Sequence, residues 1–210
     1  MNNILKTLIS PLFTKTRHDR TPGEIIYKPD WVSIEEWNSG YSNRMWDYLY
    51  QLGELARYSV IVGYCQYFKS TAKVLDIGCG EGILQERLGI HWYSKYVGID
   101  ISGTAIERAI KKQNEKTFFI REDATQYTPN ERFDIIIFNE CLFYFEDPLK
   151  LVKRYESFLN HQGVIIISIF VNDSYMMVWR ILEEEYSFVD ETRVSNQAGL
   201  SWIIKAFTKQ

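Results

Sequence analysis

The 210-residue sequence has little cysteine, no excess of basic residues and no long apolar run. Its three cysteines stand far apart without a C-x-x-C pair, which argues against a disulfide framework or zinc site, so we expect reduced thiols and a cytoplasmic protein. The 24 basic residues are outnumbered by 27 acidic ones, and we expect no nucleic-acid partner because phosphate-backbone binders carry a basic excess. No apolar run reaches the roughly 20 residues of a transmembrane helix, so we expect no stable membrane insertion.

The first thirteen residues are partly apolar but do not resemble a secretory signal. Lys6 and Pro11 interrupt the apolar residues, and no small-residue cleavage site follows. A short amphipathic helix at a membrane surface, a helix packed on the protein and a loose tail all stay open.

The sequence changes in character at Lys73, although no repeat, low-complexity tract or long linker divides it. Residues 1–72 are rich in aromatic residues, and we interpret them as an N-terminal helical cap within the same domain as the core, residues 73–210. Apolar spacing near 3.6 residues predicts two cap helices, 42–53 and 55–68, with a break at Ser39-Gly40 before them.

The core alternates short β-branched runs with helical stretches, which predicts an α/β three-layer sandwich around a mostly parallel sheet. The last two predicted strands have no helix between them and suggest an antiparallel hairpin at the sheet edge. The predicted strands are 73–77, 96–100, 117–121, 133–139, 164–170, 187–194 and 201–207, and the predicted helices are 81–88, 103–114, 147–159 and 174–185.

The most informative segment is Val74–Gly82, a buried strand that runs into a loop with glycine at every second position and then a helix. Glycine lets a ligand lie against bare main chain, next to the free N–H groups of a helix start. The spacing is Gly-x-Gly-x-Gly, whereas dinucleotide-binding loops have Gly-x-Gly-x-x-Gly, which argues against a nicotinamide-dependent dehydrogenase. Asp76 before the loop would suit a ligand with an ammonium group and a cationic sulfur.

Two further acids fall at the ends of the next strands. Asp100 follows Asp76 by 24 residues, at a position where a carboxylate can accept both hydroxyls of a ribose. Asp123 follows the third strand, at the same carboxyl edge of the sheet. A strand-end Asp alone is more often a turn or helix cap, but three acids in register with the glycine loop favour a ligand site.

On these residues the chain resembles the class I (Rossmann-like) S-adenosylmethionine-dependent methyltransferases of small-molecule type, over residues 73 to about 170. The resemblance implies a seven-stranded sheet with the last strand antiparallel, S-adenosylmethionine as cofactor and S-adenosylhomocysteine as product. It also implies a set of cofactor-binding residues: Asp76, Gly78, Cys79, Gly80, Gly82, Asp100, Ile101, Asp123, Ala124, Asn139 and Leu142.

The resemblance assigns these residues to parts of the cofactor. Gly78, Gly80 and Gly82 would lie beneath its methionine and ribose parts. Asp76 would face the amino-acid end and Asp100 the ribose. Asp123, with the backbone of Ala124, would contact the adenine.

The acceptor side is less specific in sequence. Glu140 and Tyr144 follow the fourth strand and are candidates for proton transfer, with a backbone-bonded carboxylate and core packing as the respective alternatives. The histidines His18, His91 and His161 fall in a tail and in loops expected at the opposite edge. An acceptor that enters already nucleophilic, such as a neutral amine, a carboxylate or a phosphate-type oxygen, is therefore the other interpretation.

The cap supplies candidates for acceptor binding, because aromatic faces attract cations and an arginine can clamp an anion. Packing of these rings onto the sheet is the alternative. The candidates are Trp37, Tyr41, Trp46, Arg57 and Tyr58. We expect no metal, since Glu140 and Asp147 are the only obvious acids on this side.

Together these features predict methyl transfer by in-line displacement to an N or O atom of a small molecule, such as a metabolite, sugar or natural-product intermediate. A catalytically silent methyltransferase-like binding protein is the main alternative, and a protein or RNA methyltransferase stays open. Monomer and homodimer are both compatible with the sequence.

Overall fold

The computed structural model describes residues 29–208, in which seven strands form one sheet. The strands are β1 (Ala72–Ile77), β2 (Tyr93–Asp100), β3 (Thr117–Arg121), β4 (Phe133–Asn139), β5 (Leu159–Phe170), β6 (Asp190–Ser195) and β7 (Ser201–Thr208). Their order in the sheet is β3-β2-β1-β4-β5-β7-β6. Strands β1 to β5 pair in parallel, whereas β7 runs antiparallel to both of its neighbours, β5 and β6. The expected seven-stranded, mostly parallel sheet with its last strand antiparallel is confirmed.

Helices cover both faces of the sheet because successive side chains of a buried strand point to opposite sides. The described α-helices are α1 (Ile34–Ser42), α2 (Leu52–Phe68), α3 (Ile83–Leu88), α4 (Gly103–Ile110), α5 (Pro148–Glu156) and α6 (Met176–Glu183). None of them is long and apolar enough to cross a membrane. Leu75 and Ile77 belong to an apolar core shared with α5 and α6, whereas Val74 belongs to a second core shared with α2, α3 and α4.

The prediction of a first cap helix at 42–53 is wrong, because the chain starts this helix at a capping box that lies further upstream. The Ser33 hydroxyl accepts a hydrogen bond from the Glu36 amide at 3.2 Å, and the Glu36 carboxylate accepts one from the Ser33 amide at 2.9 Å. Helix α1 therefore begins at Ile34 and ends at Ser42. Arg44 then adopts a φ of +57°, and a 3₁₀ turn over Asp47–Tyr50 leads to α2.

The predicted break at Ser39-Gly40 is also wrong, since both residues lie inside α1. Gly40 is needed for a close approach: a Cβ there would lie 2.8 Å from the Nε1 atom of Trp46. The second predicted cap helix is confirmed as Leu52–Phe68, which starts three residues before the predicted residue 55.

The core elements are confirmed, with corrections at their ends. Strands β3 and β4 have the predicted bounds, whereas β2 and β5 begin earlier than predicted, and the helix predicted at 147–159 ends at Glu156. Strand β5 begins at Leu159 because this residue pairs with Phe133 of β4. His161 therefore lies in a strand, not in a loop. The expectations for the first thirteen residues and for His18 lie outside the described part of the chain.

Candidate active site

A cavity of about 1050 Å³ opens at the carboxyl ends of the parallel strands, beneath α1, the 3₁₀ turn and the start of α2. Open α/β sheets bind their ligands at this edge. Most of the residues predicted for the site line the cavity: Trp37, Tyr41, Trp46, Arg57, Tyr58, Gly78, Cys79, Gly80, Asp100, Ile101, Asp123, Ala124, Asn139, Glu140 and Tyr144. Asp76, Gly82 and Leu142 do not line it and are buried or half-buried behind the surface residues.

The glycine loop is joined to the end of β2 by the carboxylate of Asp100. Its Oδ2 atom accepts a hydrogen bond from the Gly80 amide at 2.9 Å, and its Oδ1 atom accepts one from the Ser102 amide at 2.8 Å. Burial raises the pKa of Asp100, and these two N–H groups oppose that shift. Each carboxylate oxygen has two acceptor positions, so each keeps one for a further donor.

The three loop glycines have positive φ angles, but they differ in what surrounds them. A Cβ on Gly78 would lie 2.9 Å from Cβ of Cys141, and a Cβ on Gly80 would lie 2.8 Å from the Tyr41 hydroxyl. A Cβ on Gly82 would instead meet the Phe119 ring at 2.6 Å. All three glycines therefore make room for a neighbouring side chain, and Gly78 and Gly80 also line the cavity, whereas Gly82 does not.

Asp76 lies behind the loop and is 1% exposed. Its Oδ2 atom accepts a hydrogen bond from the Tyr96 hydroxyl at 2.5 Å, and its Oδ1 atom has no hydrogen-bond partner among residues 29–208. Burial raises the pKa of Asp76 to about 7, although the Tyr96 hydroxyl works in the opposite direction. Asp76 is therefore a buried residue that does not line the cavity.

The end of β3 contributes a turn built on Asp123. Its Oδ1 atom accepts hydrogen bonds from the Thr125 amide at 2.8 Å and the Thr125 hydroxyl at 2.9 Å. The carbonyl of Ala124 accepts a hydrogen bond from the Tyr155 hydroxyl at 2.9 Å. These contacts present Asp123 and Ala124 at the cavity beside Ile101.

Helix α1 forms a lid over the glycine loop. The Oδ1 atom of Asn38 accepts hydrogen bonds from the Ser102 hydroxyl at 2.8 Å and the Thr104 amide at 3.2 Å, which fixes α1 to the start of α4. The segment before α1 is held on the other side, where the Asp30 amide donates to the Phe143 carbonyl at 3.2 Å and the Tyr175 hydroxyl donates to the Asp30 carboxylate.

Over the ends of β4 and β5, four polar residues form a cluster, in which Glu54 and Arg57 are buried and Asn139 and Glu140 are half-buried. The Arg57 guanidinium is 1% exposed, donates to Glu54 at 2.8 Å and donates to the side-chain oxygen of Asn139. Glu140 adopts a φ of +60°, unusual for a residue with a side chain. Its Oε1 atom accepts from the Ser168 hydroxyl at 2.6 Å and its Oε2 atom from the Phe170 amide at 3.0 Å. The Arg57 guanidinium is therefore already hydrogen-bonded to other residues of the protein, and the Glu140 carboxylate is held in place by two groups of β5.

Aromatic rings line the rest of this part of the cavity. Trp37 contacts Tyr144 edge to face at 4.9 Å between ring centroids, and it contacts Trp46 at 5.4 Å. The Tyr58 ring stacks beneath the Arg57 guanidinium at 4.4 Å. Burial raises the pKa of Tyr144 well above its usual value, and the neighbouring Tyr48 and Glu140 raise it further.

Sequence reasoning missed the cavity residues Tyr48 and Glu54, and it missed Asn38, which binds α1 to the start of α4. Glu54 carried a usable signal, because a carboxylate three residues before Arg57 on one helix face can pair with it. Asn38 and Tyr48 carried none, since Asn38 lies in a helix whose bounds were mispredicted and Tyr48 lies in the 3₁₀ turn that follows it. Residues 29–208 contain no group of three or more His, Cys, Asp or Glu side chains that could hold a metal ion.

Comparison with known proteins identifies the family. A family model described as a methyltransferase domain matches residues 42–203. The chain belongs to this family. The resemblance carried by the glycine loop and Asp100 is thereby confirmed.

Individual relatives match over part of their length. The chain is 31% identical over 110 residues to malonyl-[acyl-carrier protein] O-methyltransferase 1 of Ilyobacter polytropus, covering 51% of this chain and 41% of the relative. It is 31% identical over 108 residues to phosphoethanolamine N-methyltransferase 1 of Arabidopsis thaliana, covering 48% and 21%. The chain thus spans less than half the length of these curated relatives.

Solved structures share the fold of this methyltransferase domain. The N-methyltransferase NodS of Bradyrhizobium japonicum, crystallised with S-adenosyl-L-homocysteine, has a TM-score of 0.72 at 21% identity, covering 82% of this chain and 98% of NodS. Magnesium protoporphyrin IX methyltransferase of Synechocystis, crystallised with S-adenosylmethionine, has a TM-score of 0.63 at 16% identity, covering 100% and 93%. At these identities the likeness establishes the fold.

Proposed function

We propose that the protein is an S-adenosylmethionine-dependent methyltransferase that methylates an N or O atom of a small-molecule acceptor. The observation that carries the proposal is the bond between the Gly80 amide and the Asp100 carboxylate, which closes the glycine loop against the end of β2 inside a covered cavity. The family and the ligands bound in structures of the same fold support it.

The residues present fit the cofactor. Gly78 and Gly80 line the cavity, Asp100 keeps acceptor positions for ribose hydroxyls, and Asp123 lies at the edge where the adenine would lie. Ligand pockets typically measure about 300–1,000 Å³, so a cavity of about 1050 Å³ has room for a cofactor and a small acceptor together. S-adenosylmethionine supplies, when bound, a methyl group on a positively charged sulfur.

The chain's own contribution is alignment, exclusion of water and control of protons. The lid formed by α1 covers the glycine loop, and the aromatic rings of Trp37 and Trp46 close the acceptor side. We assign proton acceptance to Glu140, whose carboxylate lines the cavity. Tyr144 has a raised pKa, so its hydroxyl stays protonated near neutral pH and serves to position the acceptor.

A cavity covered by α1 supports a small-molecule acceptor in preference to a protein or RNA. The relatives named above include both O- and N-methyltransferases, so their names leave the acceptor atom open. The three cysteines are unpaired, which supports our further proposal of a reduced, cytoplasmic setting. We infer no preference between monomer and homodimer.

Isothermal calorimetry of S-adenosylmethionine and S-adenosylhomocysteine tests the proposal. We expect micromolar binding by the wild type and at least about tenfold weaker binding by Asp100→Ala, because hydrogen bonds to a charged group contribute about 1.5–3 kcal/mol each. Asp147→Ala is the matched control, since the Asp147 carboxylate also accepts a hydrogen bond from a backbone amide, that of Lys150, but Asp147 does not line the cavity. Absence of binding to folded wild-type protein would refute the proposed function.

A further inference from the structure

The part of the cavity over the ends of β4 and β5 has a charge that is suited to one class of acceptor. We call this part the acceptor chamber and define it by Tyr48, Glu54, Arg57, Glu140 and Tyr144, which all line the cavity. Arg57 is the only cationic side chain among the described residues that line the cavity, against eight acidic ones. The chamber itself holds two carboxylates and one guanidinium.

Arg57 does not present its charge to a ligand, because that charge is already paired. The guanidinium donates to Glu54 at 2.8 Å and to Asn139, and it stacks on Tyr58 at 4.4 Å. Its Nε atom is buried and has no hydrogen-bond partner among residues 29–208. With Arg57 and Glu54 balancing each other, the carboxylate of Glu140 leaves one negative charge in excess. A carboxylate or phosphate acceptor would enter against that charge.

Glu140 has acceptor capacity to spare. Each of its oxygens accepts one hydrogen bond, from the Ser168 hydroxyl and from the Phe170 amide, so each retains one lone pair. The strained φ of +60° presents this side chain at the strand end, and backbone strain of this kind is concentrated at functional sites.

Two hydroxyls complete the arrangement. Tyr48 and Tyr144 make no hydrogen bond to any residue of 29–208, and both lie close enough to Glu140 for electrostatic interaction. A carboxylate and two hydroxyl oxygens match the three N–H donors of an ammonium group. The rings of Trp37 and Trp46 add π faces, which attract cations.

We propose that the acceptor is a primary or secondary amine, captured as its ammonium ion by Glu140, Tyr48 and Tyr144 in the acceptor chamber. This inference rests on the proposed function. The ammonium gives one proton to the Glu140 carboxylate, and the nitrogen lone pair then forms the new C–N bond with the methyl carbon. The C–S bond breaks with its electron pair remaining on sulfur. The methylated ammonium leaves with its charge, and Glu140 returns its proton to solvent.

Matched probes separate the acceptor classes. The probes are 2-phenylethylamine, 2-phenylethanol and 3-phenylpropanoate, titrated by saturation-transfer NMR into protein saturated with S-adenosylhomocysteine. We expect the amine to bind at least about tenfold more tightly than the other two, because charge-assisted hydrogen bonds are roughly twice as strong as neutral ones. Glu140→Gln should abolish this preference, and Glu107→Gln, an exposed residue of α4, should retain it.

Several outcomes would overturn the proposal: tighter or equal binding of the alcohol or the carboxylate, no binding of any probe, or an amine preference that survives Glu140→Gln. Tyr48→Phe provides a second variant that keeps the core intact, and we expect it to weaken amine binding several-fold without affecting the other probes. Calorimetry with S-adenosylmethionine on the same samples separates the two proposals. Normal cofactor binding without amine preference refutes only the acceptor class, whereas absent cofactor binding refutes the proposed function.

Discussion

The Tyr41 hydroxyl lies directly against Gly80, so that a Cβ on this glycine would lie 2.8 Å from the hydroxyl oxygen. Tyr41 belongs to the lid helix α1, and Gly80 belongs to the loop whose amide is bound by Asp100. Burial, followed by the nearby Asp100 carboxylate, raises the pKa of Tyr41 and keeps the hydroxyl protonated. The position of the lid and the conformation of the loop are therefore coupled through one contact.

Gly80→Ala should abolish cofactor binding. The substitution places a methyl group against Tyr41 and imposes a φ of +54° on a residue with a side chain. Gly199→Ala is the matched control, because Gly199 has a φ of +79° but open space around it. We expect the control to lose roughly 1–2 kcal/mol of unfolding free energy and to bind S-adenosylmethionine normally in calorimetry. Equal binding by both variants would contradict the coupling of lid and loop.

Gly40→Ala and Gly63→Ala should have opposite effects on stability, although both glycines lie inside helices. Alanine normally stabilises a helix over glycine by about 0.5–1 kcal/mol, and we expect this gain at Gly63, which has nothing within 4 Å of an added Cβ. At Gly40 the methyl group meets Trp46 at 2.8 Å, and overpacking typically costs about 1–3 kcal/mol. Urea unfolding measures both values. Stabilisation by Gly40→Ala would show that the Trp46 contact is not required.

Arg57→Met should destabilise the fold by about 3–5 kcal/mol, because it leaves the buried carboxylate of Glu54 without its cation. Adding Glu54→Gln to this variant should restore most of the loss. A double-mutant cycle by denaturant unfolding gives the coupling free energy. If the losses of unfolding free energy from the two substitutions simply added, Arg57 would not stabilise the Glu54 carboxylate. Arg57 would then again be a candidate to bind an anionic acceptor.

Asp76 should make stability fall as the pH rises from acidic to neutral values. Its pKa is about 7 in the folded protein, whereas an unfolded Asp has a pKa of about 3.9, so the folded state binds more protons between these values. The free energy of unfolding contributed by this group therefore decreases from about pH 4 to about pH 7. Asp76→Asn should remove that decrease in unfolding measurements from pH 5 to pH 8. A pH profile parallel to the wild type would contradict the prediction.

The contribution of Asp134 to stability should change with pH in the opposite direction to that of Asp76, so Asp134 serves as its comparison. Burial favours a higher pKa for Asp134, but hydrogen bonds from Lys69, the Lys73 amide and Asn160 outweigh burial and lower it. Its contribution to stability is present above the unfolded pKa and is lost as the pH falls through the folded value. Asp134→Asn should therefore destabilise the protein at pH 7 and flatten the acid side of its stability curve.

The pattern of neighbouring residues along the chain was enough to predict the strands and helices of the core. Alternation of apolar residues identified the strands, and β3 and β4 were predicted with their observed bounds. Asp100 and the glycine loop were predicted from their spacing, because a strand that ends in such a loop always presents the same edge of the sheet. Errors lie at the ends of strands and helices, and the largest concerns the first cap helix. There the capping box at Ser33 outweighs the aromatic spacing from which a helix at 42–53 was predicted.

The family, the sheet and the residues at the strand ends follow from the amino-acid sequence, because periodicity and turn chemistry depend on neighbours along the chain. The roles within the cavity depend on contacts between distant residues. Arg57 bonds Asn139 across 82 positions, and Ser168 holds Glu140 across 28. The engagement of Arg57, the separation of Asp76 from the cavity and the contact of Tyr41 with Gly80 required the folded chain, because burial and charge pairing are properties of the packed interior.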